Sequence, residues 1–144
     1  MGSLSNKKSI DNIKMFFLKN NWKPLPYQIQ SWEAYLDGEN GIIQVPTGCG
    51  KTYAALMGPL SKLDNYKESF GINILIITPL KALSRDLKNS INFAAEFFNK
   101  KITVGIRNGD TSPYEKKKQI IKPPNILITT PESLSLLLSN KESK

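Results

Sequence analysis

Pro46-Thr47-Gly48-Cys49-Gly50-Lys51-Thr52 is the segment whose residue types and spacing point to chemistry. Two glycines let a backbone turn tightly and aim its N–H groups inward at a phosphate. A helix opening at Lys51 adds its positive N-terminal end. Lys51 is then placed to reach the β- and γ-phosphates of a nucleotide, and the Thr52 hydroxyl to ligate Mg²⁺. The loop is a variant of the strict glycine-rich pattern, lacking its first glycine and opening on Pro46. Cys49 reads as a residue small enough for the turn rather than as a nucleophile.

Such a loop needs a strand before it and a helix after it. Ile42-Ile43-Gln44-Val45 is a short apolar run rich in β-branched residues that stops at Pro46, and it predicts the strand. Lys51 to about Leu63 has helical patterning. Upstream, Ile10, Ile13 and Phe17 recur at helical spacing with Ser9 as an N-cap, and Asn20-Asn21 ends that helix. Pro26 fits the first turn of a helix running to about Leu36.

Downstream, strands and helices alternate. Ile72–Ile77 reads as a strand buried on both faces. A helix from Leu80 to about Phe98, with room for one break, precedes a strand over Ile102–Ile106. Ser112-Pro113-Tyr114-Glu115 starts a further helix that Pro123-Pro124 ends. Asn125–Thr129 is a fourth strand and Glu132–Leu138 a last helix. Alternation of this kind gives βαβ units and a parallel sheet covered by helices. Thr78-Pro79 and Thr130-Pro131 each follow a strand, so each Thr predicts a cap and each Pro a first helical position. Both helix starts then lie at the carboxyl edge of the sheet, where α/β proteins bind ligands.

Composition sets the bounds. At 144 residues the chain has the length of one domain, and 40% apolar with 22% charged residues is ordinary globular usage. One cysteine excludes an intrachain disulfide and fits a reducing compartment. Twenty basic against 12 acidic residues give +8, which favours polyanionic partners. Only two of the basic residues, Arg85 and Arg107, are arginine, too few for the phosphate-clamping lid of a small kinase. No apolar run has the roughly 18 residues of a membrane span, and no membrane partner is expected. Lys116-Lys117-Lys118 reads as a solvated helix face.

The ordered motifs carry a resemblance. Pro-Thr-Gly-x-Gly-Lys-Thr resembles motif I of superfamily 2 helicases. Pro24-x-Pro26-x-Gln28, with Gln28 lying 23 residues before Lys51, resembles the Q motif of DEAD-box helicases. Thr78-Pro79-Leu80-Lys81-Ala82-Leu83 resembles motif Ia, and Thr129-Thr130-Pro131-Glu132-Ser133-Leu134 resembles motif Ib. Arg107-Asn108-Gly109-Asp110-Thr111 resembles the segment between them that carries a further backbone contact. The wording is nearest to the large helicase-related (Lhr-type) branch and covers about Trp22 to Leu138.

The resemblance implies a three-layer RecA-like α/β domain with a mostly parallel sheet, incomplete relative to the family domain. Residues 1–21 would be an N-terminal helical extension, 22–138 the partial ATP-binding domain and 139–144 a polar tail. It implies ATP and Mg²⁺ as cofactors, with Gln28 reading the adenine edge and Pro46–Thr52 holding the phosphates. It implies that Thr78, Pro79, Lys81, Arg85, Gly109, Asp110, Thr130, Pro131 and Glu132 contact the backbone of single- or double-stranded DNA or RNA. No strand of this chain ends in the Asp-Glu pair of motif II, so no catalytic residue is assigned and turnover by the chain alone is not expected. Exposed apolar sheet edges, with self-association, are expected of a sheet missing strands. The alternative is a remnant that binds nucleotide or nucleic acid without catalysis. The expected compartment is the cytoplasm, or the nucleus in a eukaryote.

Overall fold

Three apolar runs pair into a parallel sheet, and the helices between them supply the crossovers. The computed structural model describes residues 3–63 and 71–140. In chain order the elements are α1 (Leu4–Lys19), α2 (Pro26–Leu36), α3 (Lys51–Ser61), β1 (Ile74–Ile77), α4 (Lys81–Phe98), β2 (Val104–Arg107), α5 (Pro113–Ile121), β3 (Ile126–Thr129) and α6 (Pro131–Ser139). They fall into two compact units, Met1–Tyr66 with Phe97–Asn99, and Lys67–Glu96 with Lys100–Lys144.

The first unit is helical. α1 starts earlier than its periodicity predicts, because Ser3 rather than Ser9 is the cap and accepts from the Asn6 amide. It ends at Asn20, and Asn21 turns the chain with φ 57°. Ile13, Phe16 and Phe17 bury one side of α1. Phe16 meets Tyr53 and Phe97 edge to face, at 5.8 and 5.5 Å between ring centres. Phe17 lies 5.2 Å from Trp32 of α2. Aromatic pairs at these separations contribute beyond the area they bury. Gly58 of α3 lets the Tyr35 ring close in, since a Cβ there would meet it at 2.9 Å.

The strand predicted over Ile42–Val45 does not form. No described residue ladders with the segment, and Ile42 is 93% exposed. β-branched composition favours a pleated surface, yet a strand exists only through its partner. Instead Ile43 and Val45, with Tyr27, Ser31 and Ala34 of α2, border a groove of about 440 Å³.

The second unit holds the sheet, ordered β1-β3-β2 and parallel throughout. Ile77, Thr129 and Arg107 stand in register across it. The strand buried on both faces is β3, whose four residues are all buried between two neighbours. β1 was expected in that role but lies at an edge, with Leu75 and Ile77 45% and 50% exposed. α4 is one unbroken helix of 18 residues. The last helix runs through Ser139, while 141–144 lie outside the described residues.

Candidate nucleotide and nucleic-acid sites

The loop before α3 has the form its glycines require. Gly48 and Gly50 both adopt left-handed φ, 83° and 79°, a region side chains disfavour. Gly50 is the N-cap of α3, and its carbonyl accepts the first helical bond, from Ala54 N at 3.2 Å. The amides of Lys51 and Thr52 precede that bond. Lys51 is exposed and pairs with no described carboxylate. Thr52 is half-buried in the first turn, and Pro46 and Thr47 are exposed at the loop's entrance.

Helix α2 holds the other side of this loop. Gln28 is 4% exposed, and both ends of its carboxamide are engaged. Its Oε1 accepts from Leu25 N at 2.9 Å, closing the first turn of α2, and its Nε2 donates to Gly50 O at 3.1 Å. The Tyr27 hydroxyl donates to Cys49 O. Trp32 Nε1 donates to Tyr53 O at 2.9 Å. Burial, and next the charge of Cys49, push the Tyr27 phenol above its ordinary value.

These bonds orient the loop. In a trans peptide the carbonyl of one residue and the N–H of the next point opposite ways. With Cys49 O and Gly50 O drawn to Tyr27 and Gln28, the amides of Gly50 and Lys51 turn away from α2. Tyr27 and Trp32 escaped the reading of the sequence. Their signal was three donor-tipped side chains, Tyr27, Gln28 and Trp32, on one side of a helix that starts at Pro26.

In the second unit the three parallel strands end level, so the segments that follow lie side by side. At about 4.8 Å per strand they span about 10 Å. After β3, Thr130 caps α6 through Ser133 N at 3.4 Å, with Pro131 in the first turn as predicted. Thr130 itself is buried, so what this start presents outward is the Glu132 amide, which precedes the first helical bond, Leu134 N to Thr130 O. After β1 the prediction fails. α4 begins at Lys81, so Thr78 is not its cap, and the Thr78 hydroxyl reaches Leu80 N only at 3.5 Å. Thr78 N instead extends the pairing of β1, donating to Thr129 O at 2.9 Å. Pro79 consequently stands in the connection, and Lys81 and Arg85 lie exposed one turn apart on α4.

After β2 the chain makes a well-bonded turn. Asp110 N donates to Asn108 Oδ1 at 2.8 Å and Asn108 N to Thr111 Oγ1 at 3.0 Å. The tip of the Lys81 side chain lies over Gly109, where a Cβ would stand 2.7 Å from Nζ. Lys81 Nζ pairs with Asp110 Oδ1 at 3.7 Å, and both side chains are largely exposed. The pair bridges the segment after β1 and the segment after β2, the strands on either side of β3. Arg107, by contrast, is structural. It is buried, its Nη1 donates to Lys116 O at 3.0 Å, and desolvation lowers its proton affinity. Among the described residues no cluster of three or more His, Cys, Asp or Glu could hold a metal, and no helix is long and apolar enough to cross a membrane.

The chain belongs to the DEAD/DEAH box helicase family, whose model matches residues 25–144. Within that family the likeness is to Lhr-type helicases. The chain is 38% identical over 129 residues to the Lhr helicase/probable uracil glycosylase of Mycolicibacterium smegmatis, covering 81% of this chain and 9% of that protein. It is 43% identical over 111 residues to the ATP-dependent helicase Lhr-Core of Sulfolobus acidocaldarius, covering 70% of this chain and 13% of the relative. The structure of Mycobacterium smegmatis helicase Lhr bound to ssDNA and AMP-PNP matches with a TM-score of 0.81 at 33% identity, covering 91% of this chain and 18% of that one. The open parallel α/β sheet is the helicase fold, and the chain spans a small part of the length of these relatives.

Proposed function

We propose that this chain binds ATP with Mg²⁺ at Pro46–Thr52 and contacts the backbone of a nucleic-acid strand at the carboxyl edge of its sheet, as the ATP-binding part of an ATP-dependent nucleic-acid helicase. The observation that carries the nucleotide reading is the pair of bonds from Tyr27 and Gln28 to the loop carbonyls, which turn the following amides outward. A triphosphate fits what is present, namely left-handed glycines, amides at a helix start and a lysine without a competing carboxylate. Lys51 would neutralise phosphate charge, and the Thr52 hydroxyl would be a ligand of the magnesium ion. When bound, that ion would supply charge stabilisation. Gln28 is proposed to read the adenine edge by exchanging one of its present bonds.

For nucleic acid, Lys81 and Arg85, the backbone at Gly109 in the turn that the Asp110 and Thr111 amides brace, and the start of α6 at Thr130-Pro131-Glu132 supply anion contacts that read no base. Thr78 and Pro79 shape the approach. A relative's structure is bound to ssDNA and that of the DUF1998 helicase MrfA, 25% identical to this chain, to DNA, which supports the reading. A phosphate arriving at Lys81 displaces Asp110, at small cost because exposed ion pairs contribute only about 0–1 kcal/mol. Such work belongs where nucleic acid is, in the cytoplasm or a eukaryotic nucleus.

The test is ATP turnover by this chain with and without single-stranded nucleic acid, beside direct measurement of binding. Asp110 is engaged by Lys81 and Glu132 stands in the first turn of α6, so neither is assigned to hydrolysis. Binding of both ligands without turnover is the expected result. Binding of neither contradicts the proposal.

A further inference from the structure

Helix α5 leaves the turn after β2 and carries an exposed face of mixed aromatic and basic character. Tyr114, Lys117, Lys118 and Ile121 recur at i, i+3, i+4 and i+7, so they share one side of the helix. All four are exposed, Tyr114 and Ile121 to 74% and 68%. Lys116, Gln119 and Ile120 on the opposite side are half-buried. That side is fastened to β2, since Gln119 Nε2 donates to Ile106 O at 2.9 Å and Arg107 Nη1 to Lys116 O at 3.0 Å. The orientation of the outer face is therefore set. Lys122 adds a third exposed lysine at the C-cap. Glu115, the one acid of α5, stands at its flank with its amide held by Ser112.

A solvated face needs neither an aromatic ring nor an isoleucine in the open. Single-stranded nucleic acid uses this combination, with lysines along its backbone and an aromatic ring under a base. The face also begins where the proposed track reaches its end, because Ser112 and Pro113 follow directly on the Gly109–Thr111 turn. We propose that α5 extends the nucleic-acid track, with Tyr114 stacking on a base and Lys117 and Lys118 holding the phosphates beyond it. The proposal rests on the reading of the sheet edge as a nucleic-acid contact. α5 is about 13 Å long, room for three or four further nucleotides at about 3.4 Å each.

Oligonucleotide length separates the two readings. Affinities of the full chain for labelled oligo-dT of three nucleotides, about the 10 Å span of the edge, and of 18 nucleotides are measured by fluorescence anisotropy across salt concentrations. Tyr114→Ala weakens binding of the 18-mer about fivefold or more and leaves the 3-mer unchanged. Lys117→Gln with Lys118→Gln lowers the salt slope for the 18-mer by about 1.4, two single-strand contacts at about 0.7 each. Lys81→Gln weakens both lengths, and if it weakens neither, the sheet-edge reading falls and this one with it. If Lys81→Gln acts on both lengths while the α5 variants change neither, or change both equally, the extension is wrong and the edge stands. Loss of binding to anionic vesicles in the α5 variants, with oligonucleotide affinity intact, makes the face a membrane contact and also overturns it. Circular dichroism shows whether the variants remain folded, as substitutions on so exposed a face should.

Discussion

The carboxamide of Gln28 joins two elements, because the oxygen that closes the first turn of α2 and the nitrogen that takes Gly50 O belong to one planar group. The loop's position is thereby tied to the start of a helix 22 residues earlier in the chain. Gln28→Glu tests this tie selectively. A carboxylate still accepts from Leu25 N but cannot donate to Gly50 O, and it repels that carbonyl. A stability loss of about 1–3 kcal/mol is expected, with roughly a fivefold loss in nucleotide affinity. Thermal unfolding and nucleotide titration of the variant measure both.

The two loop glycines should differ in sensitivity. Gly48→Ala meets no atom within 4 Å and costs only its left-handed φ, about 1–2 kcal/mol. Gly50→Ala has the same strain, and its Cβ would stand 2.6 Å from Gln28 Nε2, forcing that side chain away. Gly50→Ala is therefore expected to lower the melting temperature further. In a double-mutant cycle it should be non-additive with Gln28→Ala, while Gly48→Ala should be additive.

Much of this was legible in the sequence because local chemistry decided it. Pro26 at a first turn, Ser112 and Thr130 as caps, and glycines where φ is positive all need nothing from distant residues. Where the sequence misled, the deciding partner was remote. Ile42–Val45 has strand composition but ladders with no described residue. Ile72–Ile77 is as apolar as a central strand, yet Asn125–Thr129 holds the centre because it has neighbours on both edges. Thr78-Pro79 matches Thr130-Pro131 letter for letter, but Thr78 is held by the ladder to Thr129 and the helix waits until Lys81. The resemblance implies an adenine contact for Gln28, while the bonds that hold it, to Leu25 N and Gly50 O, depend on how two helices pack. The relations of Tyr27 and Trp32 to the loop were hidden for the same reason.

Alkaline pH should loosen the loop through Tyr27. Its pKa is raised on folding, so the folded state holds the phenolic proton more tightly than the unfolded state. The stability carried by the neutral phenol is then present below about pH 10 and lost as pH rises through the folded value. Melting temperatures of the wild type and Tyr27→Phe should run parallel up to about pH 9. Above pH 10 the wild type should fall more steeply, since the variant has no phenol to ionise. Parallel curves throughout would remove Tyr27 from the loop's support.

The edge strand β1 leaves Leu75 and Ile77 half in solvent, and unpaired apolar edges favour association. Light scattering is expected to show mass rising with protein concentration. Leu75→Thr with Ile77→Thr puts a β-branched, polar residue at both positions and should bring the mass back toward that of a monomer. A clean monomer at high concentration in the wild type contradicts the expectation.

Lys51 gives the most direct measurement. Its side chain is exposed and makes no ion pair with a described residue, so Lys51→Ala should leave the melting temperature within about 0.5 kcal/mol equivalent of the wild type. Calorimetric titration of both proteins with ATP and magnesium should then show binding by the wild type and none by the variant. Equal ATP affinity in the two proteins would contradict the assignment of Pro46–Thr52 as the phosphate site.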